Sequence, residues 1–270
     1  MSSPANPTTR VACHTSAPRI GDLAGNCDRS VDAVRAAVAA GADLVVLPEL
    51  VTSGYVFASV EEAAGVAIGP DHDVFTRWAR AAGDAVVVGG FCERGCGGTL
   101  FNSAAVVDRT GVLAVYRKLH LWDEEKRFFA AGDELPPVLD VRFGRLAPLI
   151  CYDLEFPELT RHLALAGAEV LAVPTNWPLG PRPDGERPPE VVIAMAAARV
   201  NRVVVVCCDR TGTERGQRWT AGTTVVGADG WPVAVQDEGL LVTDVDLAPT
   251  RDKRLTERAH LFEDRRTDLY

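Results

Sequence analysis

Three residues in this chain pair a chemically useful side chain with a place just beyond an apolar run. Glu49 follows "DLVVLP", Lys118 follows "VLAVYR", and Cys151 follows "RLAPLI". In open α/β sheets ligands collect at the carboxyl ends of strands, so these three can meet there. Taken singly, each has an ordinary explanation. A glutamate after a buried strand is often only the first solvated residue. Lys118 follows Arg117 and can be half of an exposed basic edge, and cysteine is among the most often buried residue types.

Taken together, they suit covalent attack on a carbonyl carbon. A thiol titrates near pH ~8.5, and the attacking species is the thiolate. A carboxylate in a dry site has a raised pKa and can take the thiol proton. A lysine offsets charge on the tetrahedral intermediate, with the backbone N–H of Tyr152, next after the cysteine, as a second donor. The stretch "LICYDLEFPE" puts Cys151 in a tight strand-to-helix connection, with Pro157 opening the helix, Glu158 in its first turn and Gly167 past its end. A cysteine–histidine pair is the rival arrangement. His162 falls on that helix and reads as facing solvent or another helix. His120 lies two residues past Lys118, on the same face if the strand continues, and reads better as orienting the loop than as the proton acceptor. No Gly-x-Ser-x-Gly, phosphate-binding glycine loop or His-Glu-x-x-His motif occurs.

The elements that must position these residues are legible in outline. "DLVVLP" and "EVLAVP" lack alternation, as strands covered on both faces do. Strands are predicted over 10–16, 43–48, 84–91, 101–107, 112–117, 145–151, 169–174, 203–208, 221–227 and 240–246. Helices are predicted over 29–40, 60–66, 72–82, 157–166 and 187–200. "FNSAAVVDRTGVLAVYRK" reads as a hairpin about Asp108–Gly111, so the α/β sheets carry antiparallel pairs. "AGADLVVLPE" (40–49) and "AGAEVLAVPT" (166–175) match in register, which raises a two-fold relation between the halves. No linker divides the chain, so one domain over 10–270 is expected after a disordered tail over 1–9. The proline-rich stretch 178–189 is embedded and can border a site.

Composition excludes several classes. The 270 residues are 47% hydrophobic and 24% charged with a net charge of −9, which disfavours nucleic acid and anionic membranes as partners. No run approaches a membrane span, and the first ten residues do not read as a secretion signal. Seven cysteines, an odd number, suit reduced thiols in the cytoplasm. Cys92 and Cys96 lack the further pair that a structural zinc site wants, and Cys207 and Cys208 read as packing residues.

The segments "LPEL", "YRKLHLW" and "LICYDLEFPE", in that order, resemble the nitrilase superfamily of carbon–nitrogen hydrolases. The resemblance extends through "LALAGAEVLAVPTNWP" and "AMAAARVNRVVVVCCDRTGTERG" to the closing "RRTDLY". It implies a four-layer αββα sandwich, commonly paired across outer helices as a homodimer or higher homo-oligomer. It places Glu49 as general base, Lys118 as stabiliser and Cys151 as nucleophile, with the second glutamate at Glu125 or, one residue off, Glu124. The oxyanion donors are then the Tyr152 N–H and the Lys118 ammonium. The covalent thioester route calls for no metal or organic cofactor. Cys-Tyr-Asp-Leu-Glu resembles the aliphatic-amide branch, including enzymes of ω-amino amides, so a small amide is the expected substrate. The alternatives are an N-carbamoyl amidohydrolase or a nitrilase and, further off, an acyltransferase or a silent binding protein. Tyr55, Asn176 and Trp177 are candidate pocket walls, with Glu155 facing the substrate; for Tyr55 and Trp177, packing is the competing explanation.

Overall fold

The computed structural model describes residues 8–269. In the first half the order is β1 (Thr9–Thr15), α1 (Leu23–Ala39), β2 (Leu44–Val46), α2 (Val60–Val66), α3 (Asp73–Ala82), β3 (Val86–Arg94), β4 (Leu100–Asp108) and β5 (Gly111–Arg117). The second half runs β6 (Leu139–Val141), β7 (Gly144–Pro148), α4 (Pro157–Leu165), β8 (Val170–Pro174), α5 (Pro189–Asn201) and β9 (Val204–Cys208). It continues through the small hairpin β10 (Thr213–Glu214) and β11 (Gln217–Arg218) to β12 (Thr223–Val226), β13 (Pro232–Gln236) and β14 (Gly239–Val245). A second small hairpin, β15 (Arg254–Thr256) and β16 (Ala259–His260), follows.

Two six-stranded sheets result, ordered β14-β1-β2-β3-β4-β5 and β13-β12-β9-β8-β7-β6. In the first, β1, β2 and β3 are parallel, β4 and β5 follow antiparallel, and β14 flanks β1 antiparallel. In the second, β7, β8 and β9 are parallel, β12 and β13 follow antiparallel, and β6 flanks β7 antiparallel. The two sheets therefore share one strand order and sense, with β2 equivalent to β8. Those are the strands of the two matching sequence segments, so the echo reflects a two-fold topology. The chain returns to the first sheet through β13 and β14, which lie on opposite sheets and are joined by only Asp237 and Glu238.

Side-chain alternation assigns the layers. In β2, Leu44 and Val46 join the core between the sheets, with Val11, Val88, Val170 and Val204. Val45 points the other way, into the layer under α1 and α3 with Val34, Phe75 and Trp78. Complete burial of a side chain such as Phe75 contributes about 1.5–3 kcal/mol. Trp78 satisfies its indole N–H on Ser30 Oγ at 2.8 Å. The inner faces of both sheets and the buried sides of α4 and α5 form one continuous core, completing the αββα sandwich.

The differences from expectation are local. Helix α1 starts at Leu23, six residues before the prediction, because the Asp22 carboxylate accepts from the Gly25 N–H at 3.0 Å and caps a turn whose Gly25-Asn26 read as loop. β6 and β13 were not predicted; both are short edge strands, half-buried or exposed. β1 begins at Thr9, whose side chain is buried, so the expected tail loses its last residue; residues 1–7 lie outside the described residues. No helix among the described residues is long and apolar enough to cross a membrane.

Candidate active site

Beyond β2 the chain passes across β3 at Gly90. A Cβ there would lie 2.4 Å from Leu50 N and 2.6 Å from Glu49 Cα, so only glycine admits this crossing. Leu50 takes φ +49°. Glu49 is thereby set between the sheets. Its N–H donates to Thr175 O at 3.4 Å, and Asn176 Nδ2 donates to Glu49 O at 3.0 Å, both from the end of the equivalent strand β8.

Lys118 is the first residue past β5, held by its N–H on Asn102 O at 2.8 Å. Its ammonium donates to Glu49 Oε1 at 2.7 Å and to Glu125 Oε1 at 2.8 Å, and all three residues are buried. Glu125 stands in a 3-10 turn, Asp123–Arg127, and also accepts from Tyr55 Oη at 2.6 Å and Trp122 N at 3.0 Å. Glu124 instead is exposed and pairs with Arg127.

Cys151 is not a strand residue, contrary to the predicted strand 145–151. β7 ends at Pro148, and Cys151 opens a 3-10 turn, Cys151–Glu155, with φ +48°. The apolar run continues because Leu149 and Ile150 are buried, while the Asp153 carboxylate accepts from Ile150 N at 3.2 Å and turns the chain. That left-handed conformation is strained for a residue with a Cβ and persists only where its surroundings hold it. Tyr152 lies in the first turn, whose N–H groups have no acceptor within the helix.

The electrostatics follow from burial. Burial pushes Glu49 up to about 7; Glu125 adds to the rise, while the Lys118 ammonium and Asn102 hold it back. Burial opposes the Lys118 charge, but Glu125, Glu49 and Cys151 outweigh it and the ammonium is held firmly. Burial and Glu49 raise the Cys151 thiol well above its ordinary value, against Lys118 and the backbone N–H of Asn176. The resting pair is thus a thiol beside a carboxyl that titrates near neutrality. Glu49 Oε1 takes the donors, and its buried Oε2 meets none among the described residues, which leaves it able to accept a proton.

The wall candidates separate. Tyr55 lines a cavity of about 180 Å³ that reaches Glu125, with Phe57, Trp122, Phe128, Pro178 and Trp219 around it. Its ring meets Trp219 edge-on at 5.3 Å. Asn176 ties the sheets through its side chain and offers its backbone N–H to the sulfur. Trp177 is buried in the main core, with its backbone N–H on Asp209 Oδ1 at 2.9 Å. Glu155 is exposed at the end of the cysteine turn, its carboxyl raised by partial burial and by Glu190, and it is not among the residues lining this cavity. Pro178, at the head of the proline-rich stretch, does border the site. His120 does not continue a strand; its Nδ1 lies 2.8 Å from Asp153 Oδ1, on the loop of the cysteine. Cys92 is buried in β3 with its thiol pushed up to about 12 by burial, whereas Cys96 is exposed. Among the described residues no three metal-ligating side chains gather.

The carbon-nitrogen hydrolase family profile matches residues 10–254. The chain belongs to the carbon-nitrogen hydrolase family. Its relatives include a nitrilase of Pyrococcus abyssi, 34% identical over 94% of this chain and 95% of that protein. An (R)-stereoselective amidase of Pseudomonas sp is 36% identical over 86% of this chain and 82% of its own. Among solved structures, a mutant amidase from Nesterenkonia sp. AN1 in complex with butyramide has a TM-score of 0.78 at 30% identity, covering 98% of this chain and 97% of that one.

Within this carbon-nitrogen hydrolase, two site residues escape sequence reasoning. Asn102 donates to Glu49 Oε1 at 2.7 Å and Glu125 Oε1 at 3.3 Å, joining both carboxylates. Asp153, fully buried, gathers donors from both sides of the site. Each sits in a stretch whose local pattern reads only as strand or turn.

Proposed function

We propose that this carbon-nitrogen hydrolase cleaves a short aliphatic primary amide to the carboxylic acid and ammonia through a thioester on Cys151. The observation that carries the reading is the buried Glu49–Lys118–Glu125 cluster set against a thiol on a strained turn. Glu49 takes the Cys151 proton as sulfur bonds to the carbonyl carbon. The resulting oxyanion is met by the Lys118 ammonium and the Tyr152 N–H. Glu49 then passes its proton to the amide nitrogen, the C–N bond breaks and ammonia leaves. Water gives a proton to Glu49 and its hydroxide adds to the thioester. Collapse breaks the C–S bond, returning the thiol its proton and releasing the acid. Glu125 holds Lys118 and, through Tyr55, the cavity wall.

The cavity favours a short uncharged acyl chain over an ω-ammonium one. Half of its wall is aromatic, Glu125 is committed to Lys118 and Glu124 to Arg127, and the one further carboxylate of the lining, Asp123, is exposed to solvent. Butyramide, bound by the similar amidase, has this character. Six of the seven free cysteines are buried, which suits a reducing, cytoplasmic setting. Exposed Leu165 on α4 and Val192 and Val200 on α5 suit a homodimer across those outer helices, and sedimentation at a monomer mass would remove that part.

Ammonia release is the deciding experiment, with propionamide, butyramide, 5-aminopentanamide, an N-carbamoyl amine and a nitrile, for wild type and Cys151→Ala. Release from the short neutral amides by wild type alone is expected. Equal rates on 5-aminopentanamide would sink the chain-charge assignment, and a fully active Cys151→Ala would sink the mechanism.

A further inference from the structure

The Asp153 carboxylate, two residues past the nucleophile, is fully buried and meets four donors. Oδ1 accepts from His120 N at 3.0 Å and lies 2.8 Å from His120 Nδ1; Oδ2 accepts from Tyr116 Oη at 2.7 Å and Ile150 N at 3.2 Å. Tyr116 Oη in turn accepts from Leu119 N at 3.3 Å. Tyr116 and His120 stand two residues either side of Lys118, and Ile150 directly precedes Cys151. Lys118 leaves the edge strand of one sheet and Cys151 follows a strand of the other, so no shared ladder sets their separation. One carboxylate joins the flanks of both. The His120 ring also stacks on Phe156 at 3.6 Å, and Phe156 meets Tyr152 edge-on at 5.1 Å, which presses the same two loops together.

We infer that Asp153 is a positioning residue for the reaction, holding the Lys118 ammonium and the Cys151 thiol in working register through Tyr116 and His120. The inference rests on the thioester mechanism proposed above. A carboxylate is acceptor-only, which matches four donors; an asparagine would set its own N–H₂ against two of them. The φ +48° of Cys151 relaxes unless the turn behind it is held, and a misplacement of about 1 Å costs on the order of 10²-fold in rate. Tyr55, Phe57, Phe128 and Trp219 of the cavity wall take no part in this network, and Trp122 meets only its edge, at Tyr152 with 4.9 Å between ring centroids, so turnover is affected more than binding.

The test compares Asp153→Asn, Tyr116→Phe, His120→Phe and His120→Asn for kcat and KM on a short amide. Alongside, the rate of iodoacetamide alkylation of the Cys151 peptide is followed by mass spectrometry, and the melting temperature of each variant is recorded. Asp153→Asn is expected to lower kcat about 10²-fold with KM within about twofold, and to slow alkylation of Cys151. His120→Phe keeps the stack on Phe156 and loses the donor, so kcat falls; His120→Asn restores a side-chain N–H and recovers that loss. Tyr116→Phe behaves as His120→Phe does and stands in if Asp153→Asn does not fold. Equal losses in His120→Phe and His120→Asn, a KM rise at constant kcat, or alkylation at the wild-type rate in every folded variant would each overturn the inference. A wild-type protein inert toward amides, with alkylation still slowed in the variants, would remove the amidase reading and leave this one standing.

Discussion

At the residue scale, the chemistry turns on a carboxyl buried beside a lysine and a second carboxyl. Glu49, pushed up to about 7 chiefly by burial, accepts the thiol proton only when ionised. As pH falls through 7 it becomes protonated, so kcat/KM is expected to fall about tenfold per unit on the acid side. Glu49→Gln should lower turnover about 10²–10⁴-fold and erase that acid limb. Asn102→Leu keeps most of the bulk and removes a donor to the ionised carboxylate. Losing that donor raises the Glu49 pKa, so the acid limb should move to higher pH, while Lys118 still satisfies the same oxygen. A pH–rate profile of the three proteins checks both expectations; an unmoved limb in Asn102→Leu would disconnect that residue from Glu49.

At the scale of elements, the site is made by what happens just after strands end. β2 needs Gly90 on β3 so that the Glu49 backbone can cross, and the turn after β7 holds Cys151 at positive φ. Gly90→Ala places a methyl 2.4 Å from a backbone nitrogen, where no flexible side chain can yield. The strands must part or the Glu49 segment must move. A stability loss of about 1–3 kcal/mol by urea denaturation is expected, together with a drop in kcat as Glu49 leaves Lys118. A variant of wild-type stability and activity would contradict the close approach.

At the scale of the whole molecule, loops from both halves meet, and a buried ion pair in the loop after β9 binds them to the loops after β1 and β2. Arg210, beyond β9, donates to Pro18 O of the first half at 3.1 Å and to Glu214 Oε1 at 3.0 Å, and lies over the Trp219 ring at 4.6 Å. The other Glu214 oxygen accepts from Tyr55 N at 2.9 Å and Val56 N at 2.6 Å, so the pair anchors the cavity wall. Arg210→Met leaves Glu214 buried without its cation. That costs about 3–5 kcal/mol, and the melting temperature should fall with a rise in KM from the loosened Tyr55 and Trp219. A melting temperature unchanged from wild type would show the pair to be dispensable.

The features legible in the order of amino acids are local or periodic. Apolar runs ending in Glu49, Lys118 and Cys151, the Asp108–Gly111 hairpin turn and the match of 40–49 with 166–175 each occupy one short stretch, where side-chain period and turn chemistry report directly. The order of three such stretches was enough to indicate the family and the sandwich. The tertiary structure alone decided the rest. Asn102 reaches Glu49 across 53 residues and Asp153 reaches Tyr116 across 37, and no periodicity within either stretch records such a pairing. Trp177 and Glu155 looked alike as pocket candidates, because a residue's neighbours in the chain do not say which layer covers it. Trp177 is buried and Glu155 exposed, a difference that only the packed layers create. The near-neutral Glu49 also belongs to the folded state, since only the packed sheets remove the water that would otherwise keep an ordinary carboxylate ionised.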